Sequence, residues 1–199
     1  MIKVPILNSA IIRILCIYLS LCFWFSGTAS AIDIMEEKDD GVDLMKISLV
    51  NTQGETVQLG GYDKKFILLN FMFTSCHDVC PIQTASLAQL QKKLSPSMSS
   101  DMQFVSLTLD PENDTPEKLL KNASKYDIDR NSWSFLTGDP ELVRYITLRF
   151  SATRDEDKAD LKEHSPRIFL LDIEGNLLLS YPSTPLDVDR VLSDLQGFN

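Results

Sequence analysis

Residues 66–81 read FILLNFMFTSCHDVCP, an almost wholly apolar run that ends at two cysteines and a proline. The run Phe66–Phe73 predicts a strand buried on both faces, as found in a sheet that is covered by helices. Pro81 suits the first turn of a helix, and leucines follow it at helical spacing. The segment therefore predicts a strand that leads into a helix, with Cys76 and Cys80 at the junction.

The rest of the chain alternates between strand and helix patterns. A hairpin is predicted from Lys46–Val50 and Thr56–Leu59, with Gly54 at the turn. Further strands are predicted over Gln103–Leu109, Ser134–Thr137, Arg167–Asp172 and Leu177–Tyr181, and helices over 114–126, over 139–149 and from residue 184. This order predicts an α/β domain with a mixed central sheet flanked by helices and an N-terminal β-hairpin.

The N-terminal residues have the pattern of an export signal, residues 1–31. A basic start precedes the apolar run Ile14–Phe25 and the small residues Ala29-Ser30-Ala31. A helix needs about 20 apolar residues to cross a bilayer, and this run is shorter. We therefore expect the signal to be cleaved rather than retained as an anchor. Residues 32–43 then form a charged tail, and residues 44–199 form one domain. We expect this domain in the periplasm or on the outer face of the cytoplasmic membrane, with membrane contact only if the signal is retained.

The net charge and the cysteines exclude some classes of function. A formal net charge of −9 argues against nucleic acid or an anionic membrane surface as a partner. Cys16 and Cys22 lie in the apolar signal run, so the exported domain keeps Cys76 and Cys80. A disulfide between cysteines so close in sequence closes a small loop and stabilises little, which argues against a purely structural bridge. At a helix N-terminus, where a thiol's pKa is lowered, the pair can bind a soft metal or cycle through a disulfide.

The cysteine spacing permits both chemistries. Residues i and i+4 share a helix face, which suits a metal and also brings two Cα atoms within disulfide range. The spacing of Cys76 and Cys80 differs from the C-x-x-C of thioredoxin-type oxidoreductases, and this difference favours metal. The histidines of the chain are His77 and His164. His77 is either an additional ligand or a side chain that points away from the site.

His164 precedes a predicted strand, and loops at strand ends commonly build the sites of α/β proteins. It is therefore a candidate third ligand, although a lone histidine before a strand is more often a solvated loop residue. Two thiolates and one imidazole form a soft three-ligand site that suits Cu(I) and can hold Cu(II).

Four separated segments resemble the signature of the Sco/SenC family of copper-binding proteins. In chain order they are FTSCHDVCP (73–81), SLTLDPENDTP (106–116), WSFLTG (133–138) and HSPRIFLLD (164–172). Agreement of four motifs in the same order is specific, and the resemblance covers roughly residues 44–197. It implies a thioredoxin-like fold.

The resemblance also implies copper, Cu(I) or Cu(II), held by Cys76, Cys80 and His164. The family role is assembly of the dinuclear copper centre of cytochrome c oxidase, so the expected partner is its copper-bearing subunit or another exported copper protein. A metallochaperone that transfers copper, rather than an enzyme with turnover, is the first hypothesis. The alternative is a thiol–disulfide oxidoreductase in which Cys76 attacks and Cys80 resolves. Family members commonly have proline where this chain has His77, so a ligand role for His77 stays open.

Overall fold

The computed structural model of the protein describes residues 42–150 and 166–198. The strands in these residues are β1 (Ser48–Val50), β2 (Thr56–Gln58), β3 (Phe66–Met72), β4 (Met102–Thr108), β5 (Trp133–Leu136), β6 (Arg167–Asp172) and β7 (Leu177–Pro182). The helices are α1 (Val79–Lys93), α2 (Pro96–Asp101), α3 (Pro116–Ala123), α4 (Pro140–Arg149) and α5 (Val188–Gln196), and a 3-10 turn spans Leu44–Lys46. None of these helices is long and apolar enough to span a bilayer.

The central sheet has the strand order β5-β4-β3-β6-β7. Strand β3 pairs in parallel with β4, which pairs in parallel with β5, whereas β6 is antiparallel to both β3 and β7. The predicted α/β class with a mixed central sheet flanked by helices is therefore confirmed. The carboxyl ends of the parallel strands β3, β4 and β5 form one edge of the sheet. Because β3 is the middle strand of the sheet, the loop that follows it lies at the centre of this edge.

The central strands are buried along almost their whole length. All seven residues of β4 are buried, and in β3 only Phe66 is partly exposed. Helices cover the sheet, and α1 packs against α5. One face of α1 is buried at helical spacing, and this face includes Cys80, Gln83, Leu87 and Leu90. The same amphipathic packing that anchors α1 therefore turns Cys80 inward.

The predicted N-terminal hairpin is also confirmed. Strands β1 and β2 pair antiparallel, and Gly54 in their turn has a φ of 79°, a conformation that side chains disfavour. Two backbone hydrogen bonds between Val50 and Thr137 join this hairpin to the end of β5.

Several predicted boundaries were wrong. The helix that starts after Thr115 ends at Ala123 rather than at residue 126, and the last helix starts at Val188 rather than at residue 184. Asp187 caps that helix by accepting a hydrogen bond from the backbone N–H of Arg190. The short helix α2 was not predicted, since it contributes a single buried residue and has no apolar period. The predicted signal and residues 32–41 of the predicted tail lie outside the described residues.

Candidate metal centre

The site begins where β3 ends. The backbone N–H of Cys76 donates a 3.2 Å hydrogen bond to the carbonyl of Phe73, which folds the chain into a turn directly after the strand. Helix α1 then begins at Val79, so Cys80 lies in its first turn and Cys76 lies in the entering loop. Both cysteines are therefore held at the centre of the sheet edge, as the sequence predicts.

The two cysteines are in hydrogen-bond contact. The backbone N–H of Cys80 points at the Sγ of Cys76, with a nitrogen–sulfur distance of 3.4 Å. Both cysteines are free, but they differ in exposure: Cys76 is partly exposed and Cys80 is buried. The pair can thus offer two sulfur ligands to one soft cation, or close into a disulfide, with Cys76 as the thiol that reaches solvent.

Burial, together with the neighbouring Cys76 and the charge of Asp114, raises the pKa of the Cys80 thiol to about 12. For Cys80, the expectation of a lowered pKa at the helix N-terminus is therefore wrong. The helix end does favour a thiolate, but the loss of solvent around the sulfur outweighs that effect. A metal cation that binds Cys80 must displace its proton.

Asp114 is a buried carboxylate beside the cysteine loop, with 1% of its surface exposed. It accepts hydrogen bonds from the backbone N–H of Thr74 at 2.9 Å, from the Thr74 hydroxyl, and from the Thr108 hydroxyl. These bonds join the start of the loop to the ends of β3 and β4. In the sequence, Asp114 stands out only as part of a predicted helix start and of the motif 106–116, so the structural role of its carboxylate was not predicted.

The other candidate residues are less constrained. His77 and Asp78 are exposed, and Asp78 takes the N-cap position of α1 without a side-chain hydrogen bond to the helix. His164 lies outside the described residues, so its predicted place beside Cys76 and Cys80 stays a prediction. In residues 42–150 and 166–198, no three His, Cys, Asp or Glu side chains gather as a metal site. The described part of the site is therefore a pair of soft ligands.

Comparison with known proteins identifies the family. Residues 41–198 match the family model described as SCO1/SenC. The chain belongs to the SCO1/SenC family. The SCO1 protein homolog of Bacillus subtilis is 32% identical over 153 residues, which are 74% of this chain and 78% of that protein. The predicted membership of the Sco/SenC family is confirmed.

Two solved structures show the same fold. One, which reports a disulfide switch in BsSco, a member of the Sco family of cytochrome c oxidase assembly proteins, has a TM-score of 0.66 and 30% identity. The match covers 78% of this chain and 92% of the BsSco chain. The other, Arabidopsis thaliana ScoI with copper bound, has a TM-score of 0.58 and 26% identity over 76% of this chain and 95% of its own. The predicted thioredoxin-like fold is thereby confirmed.

Proposed function

We propose that this Sco protein binds copper through Cys76, Cys80 and His164 and delivers it to an exported copper protein. The observation that carries the proposal is the free thiol pair, with the Cys80 N–H 3.4 Å from the Cys76 sulfur, at the central edge of the sheet. Thiolate ligands select soft cations such as Cu(I), and an added imidazole also accommodates Cu(II). The copper-bound Arabidopsis relative supports this choice of metal.

The anchoring of Pro166 supports His164 as the third ligand. The carbonyl of Pro166 accepts hydrogen bonds from the backbone N–H of Ser183 at 2.8 Å and from its hydroxyl at 2.6 Å. The Ser183 hydroxyl in turn accepts from Gln83, which follows Cys80 by one helical turn. His164 precedes Pro166 by two residues, and two residues of chain span at most about 7 Å. The backbone of His164 is therefore at most about 7 Å from a residue that is anchored to the helix of Cys80.

Copper is the cargo in this proposal, and the exposure of the two sulfurs suits its transfer. Cys76 reaches solvent while Cys80 is buried, so a ligand of the recipient can replace Cys76 first while Cys80 still holds the ion. Both thiols must lose their protons to bind, so copper affinity falls as the pH is lowered.

The recipient in this proposal is the copper-bearing subunit of cytochrome c oxidase, or another exported copper protein. The description of BsSco as a member of a family of cytochrome c oxidase assembly proteins supports this choice. We further propose that residues 1–31 direct export and that the domain acts in the periplasm or on the outer face of the cytoplasmic membrane.

The contact between Cys76 and Cys80 also favours a second candidate function, reduction of a partner disulfide. The Cys76 thiolate would attack the partner disulfide, forming a mixed disulfide and releasing one partner thiolate. The Cys80 sulfur would then attack Cys76, forming the Cys76–Cys80 disulfide and releasing the second partner thiolate. Two electrons pass to the partner, and His164 takes no part. The disulfide switch reported for BsSco supports this alternative.

Anaerobic copper titration of the reduced protein tests the first proposal and separates it from the second. We expect one tightly bound copper ion, and an affinity at least about a hundredfold lower in each of Cys76→Ser, Cys80→Ser and His164→Ala. His77→Ala removes the other histidine of the chain, and a smaller loss of affinity in it than in His164→Ala would show that the effect is specific to His164. Weak binding by the parent, or binding that is indifferent to His164, would reject the copper site and leave the oxidoreductase function.

A further inference from the structure

Beside the cysteine loop lies a basic surface that the proposed function does not use. A shallow cavity of about 150 Å³ is lined by Thr74, Lys118, Lys121, Asn122 and Lys125. The lysines follow one another at intervals of three and four residues along α3 and the turn after it, so they share one face. The opposite face of α3 buries Leu119 and Ala123 in the core. The three lysines with Thr74 and Asn122 are called the lysine surface below.

The lysine surface adjoins the thiol pair on two sides. Thr74 precedes Cys76 by two residues, and its hydrogen bonds to the buried Asp114 hold it in place. Tyr126 follows Lys125 directly and is close enough to interact electrostatically with both cysteines. A molecule bound at the lysine surface would therefore touch the rim of the dithiol.

The charges of this surface are not neutralised within the described part of the chain. The side-chain ammonium groups of Lys121 and Lys125 form no ion pair or hydrogen bond there, and that of Lys118 donates only to the carbonyl of Asn113 at 2.8 Å. The carboxylate of α3, Glu117, interacts instead with Thr115 at the helix start. Most other lysines in this part of the chain are paired, in Lys46–Asp43, Lys65–Asp101, Lys92–Asp127 and Lys93–Asp189.

The lysine surface thus carries three lysines that pair with no carboxylate in residues 42–150 and 166–198, in a sequence with a net charge of −9. Like charges on one helix face repel one another, so the arrangement is unfavourable in the isolated protein. A partner that supplies carboxylates removes this repulsion and gains the attraction of all three lysines. Such complementarity mainly accelerates encounter and fixes the orientation of the two surfaces.

We propose that the lysine surface is a docking site for a carboxylate-rich protein surface, carried by the partner that exchanges copper or electrons with Cys76 and Cys80. This inference rests on the proposed function for the role of the partner, but its charge argument is independent of the metal. Docking at Lys118, Lys121 and Lys125 would bring the partner's reactive group to the exposed sulfur of Cys76.

A pair of synthetic peptides tests the inference without a known partner. Each peptide has twelve residues and one cysteine held as a mixed disulfide with thionitrobenzoate; one is rich in glutamate, and the other has glutamine at the same positions. The Cys76 thiolate attacks the peptide sulfur and releases coloured thionitrobenzoate, which gives the rate. At low ionic strength we expect the glutamate peptide to react at least about tenfold faster, and salt should remove this preference.

Two triple variants provide the comparison. In Lys118→Gln/Lys121→Gln/Lys125→Gln, the two peptides should react at nearly equal rates. The matched control is Lys46→Gln/Lys65→Gln/Lys92→Gln, which removes the same charge from exposed lysines elsewhere and should keep the preference. A preference that is absent in the parent, or lost equally in both variants, would overturn the proposal. So would a preference that inorganic phosphate abolishes at an ionic strength where chloride does not, because the cavity would then be a small-anion site.

Copper titration of the same variants separates this inference from the proposed function. The lysines are not copper ligands, so the affinity should be the same in the parent and in both triple variants. If copper binding holds and the peptide preference is absent, only the docking surface is rejected. If copper binding fails and the glutamate peptide still reacts faster, the docking site is supported. It would then be a docking site for the partner of the oxidoreductase function.

Discussion

The side-chain amide of Gln83 donates a 2.8 Å hydrogen bond to the hydroxyl of Ser183, 100 residues later in the chain. Both residues are buried, with 3% and 0% of their surfaces exposed. Gln83 lies on α1 one turn after Cys80, and Ser183 follows β7. The helix that carries Cys80 is thus fixed to the segment beside Pro166, which is the third residue of the motif 164–172.

This bond belongs to a chain of buried hydrogen bonds across the sheet. The Gln83 carbonyl oxygen accepts from the Asn70 amide at 3.0 Å, and the Asn70 oxygen accepts from the Ser106 hydroxyl at 2.7 Å. The Ser106 hydroxyl accepts from the indole N–H of Trp133 at 2.9 Å. Each of these side chains has a hydrogen-bond partner within the network. The removal of one side chain therefore leaves the polar groups of its neighbours unsatisfied in a water-free interior.

Gln83→Leu should therefore destabilise the protein strongly. Leucine fills a similar volume but leaves the Asn70 amide without an acceptor and Ser183 without a donor. Since each buried group that loses its partner costs about 1–3 kcal/mol, we expect the free energy of unfolding to fall by about 2–4 kcal/mol. Urea denaturation measures the change. Gln89→Leu, on the exposed face of the same helix, is the control and should change it by no more than about 0.5 kcal/mol. Equal effects of the two substitutions would show that the buried bonds contribute nothing net.

Asp114→Asn should also destabilise the protein, because the amide keeps the shape of the carboxylate but loses its charge and one acceptor oxygen. At least one donor from Thr74 or Thr108 would then face an N–H group. Hydrogen bonds to a charged acceptor contribute about 1.5–3 kcal/mol each, so we expect a loss of about 2–4 kcal/mol in urea denaturation. The control is Glu112→Gln in the same loop, where the side chain is exposed and the stability should hardly change. A loss no larger than that of the control would contradict the role given to Asp114.

The sequence predicted the centre of the fold well because its signals there are local. The apolar runs Phe66–Phe73 and Gln103–Leu109 have the length and composition of buried strands, and they coincide with β3 and β4 within a residue or two. Pro81 and the leucines after it identified α1. The position of Cys76 and Cys80 followed from these two elements, since a junction between a central strand and a helix lies at a sheet edge.

What the sequence did not predict depends on contacts between distant segments. The partners of Gln83 and Asp114 lie up to 100 residues away, so no local pattern identifies these side chains as buried. The raised pKa of Cys80 was missed for the same reason, because burial is a tertiary property and the helix end is a local one. The lysine surface requires knowledge of which carboxylates are near, and the role of His164 stays a prediction.

The hairpin between β6 and β7 should lose stability in acid through Asp172. Burial alone would raise the pKa of this carboxyl, but hydrogen bonds from Asn176, Glu174 and Gly175 hold it below its usual value. A carboxyl with a lowered folded pKa stabilises the protein above its unfolded pKa, near 3.8, and this contribution disappears as the pH falls through the lower folded value.

Stability should accordingly fall less between about pH 5 and pH 2 in Asp172→Asn than in the parent. Urea denaturation at a series of pH values measures the slope, and Glu174→Gln, in the exposed turn, is the control for removal of one charge. Parallel pH profiles for Asp172→Asn and the parent would show that Asp172 contributes nothing to acid sensitivity.

The two thiols should differ in reactivity, with Cys76 modified before Cys80. Cys76 is partly exposed, whereas Cys80 is buried and its pKa is raised to about 12, so few Cys80 thiolates exist at neutral pH. With iodoacetamide at pH 8 and no oxygen or metal, we expect Cys76 to be alkylated at least about a hundredfold faster, as measured by peptide mass spectrometry. The rate at Cys80, measured in Cys76→Ser, should keep rising as the pH increases toward 12, because only then does its thiolate form. Cys80→Ser should leave the rate at Cys76 within about threefold of the parent. Faster alkylation of Cys80 than of Cys76 would contradict both proposals. In the oxidoreductase alternative, Cys80 would then be the attacking thiol, and in copper transfer, Cys76 would no longer be the ligand that is replaced first.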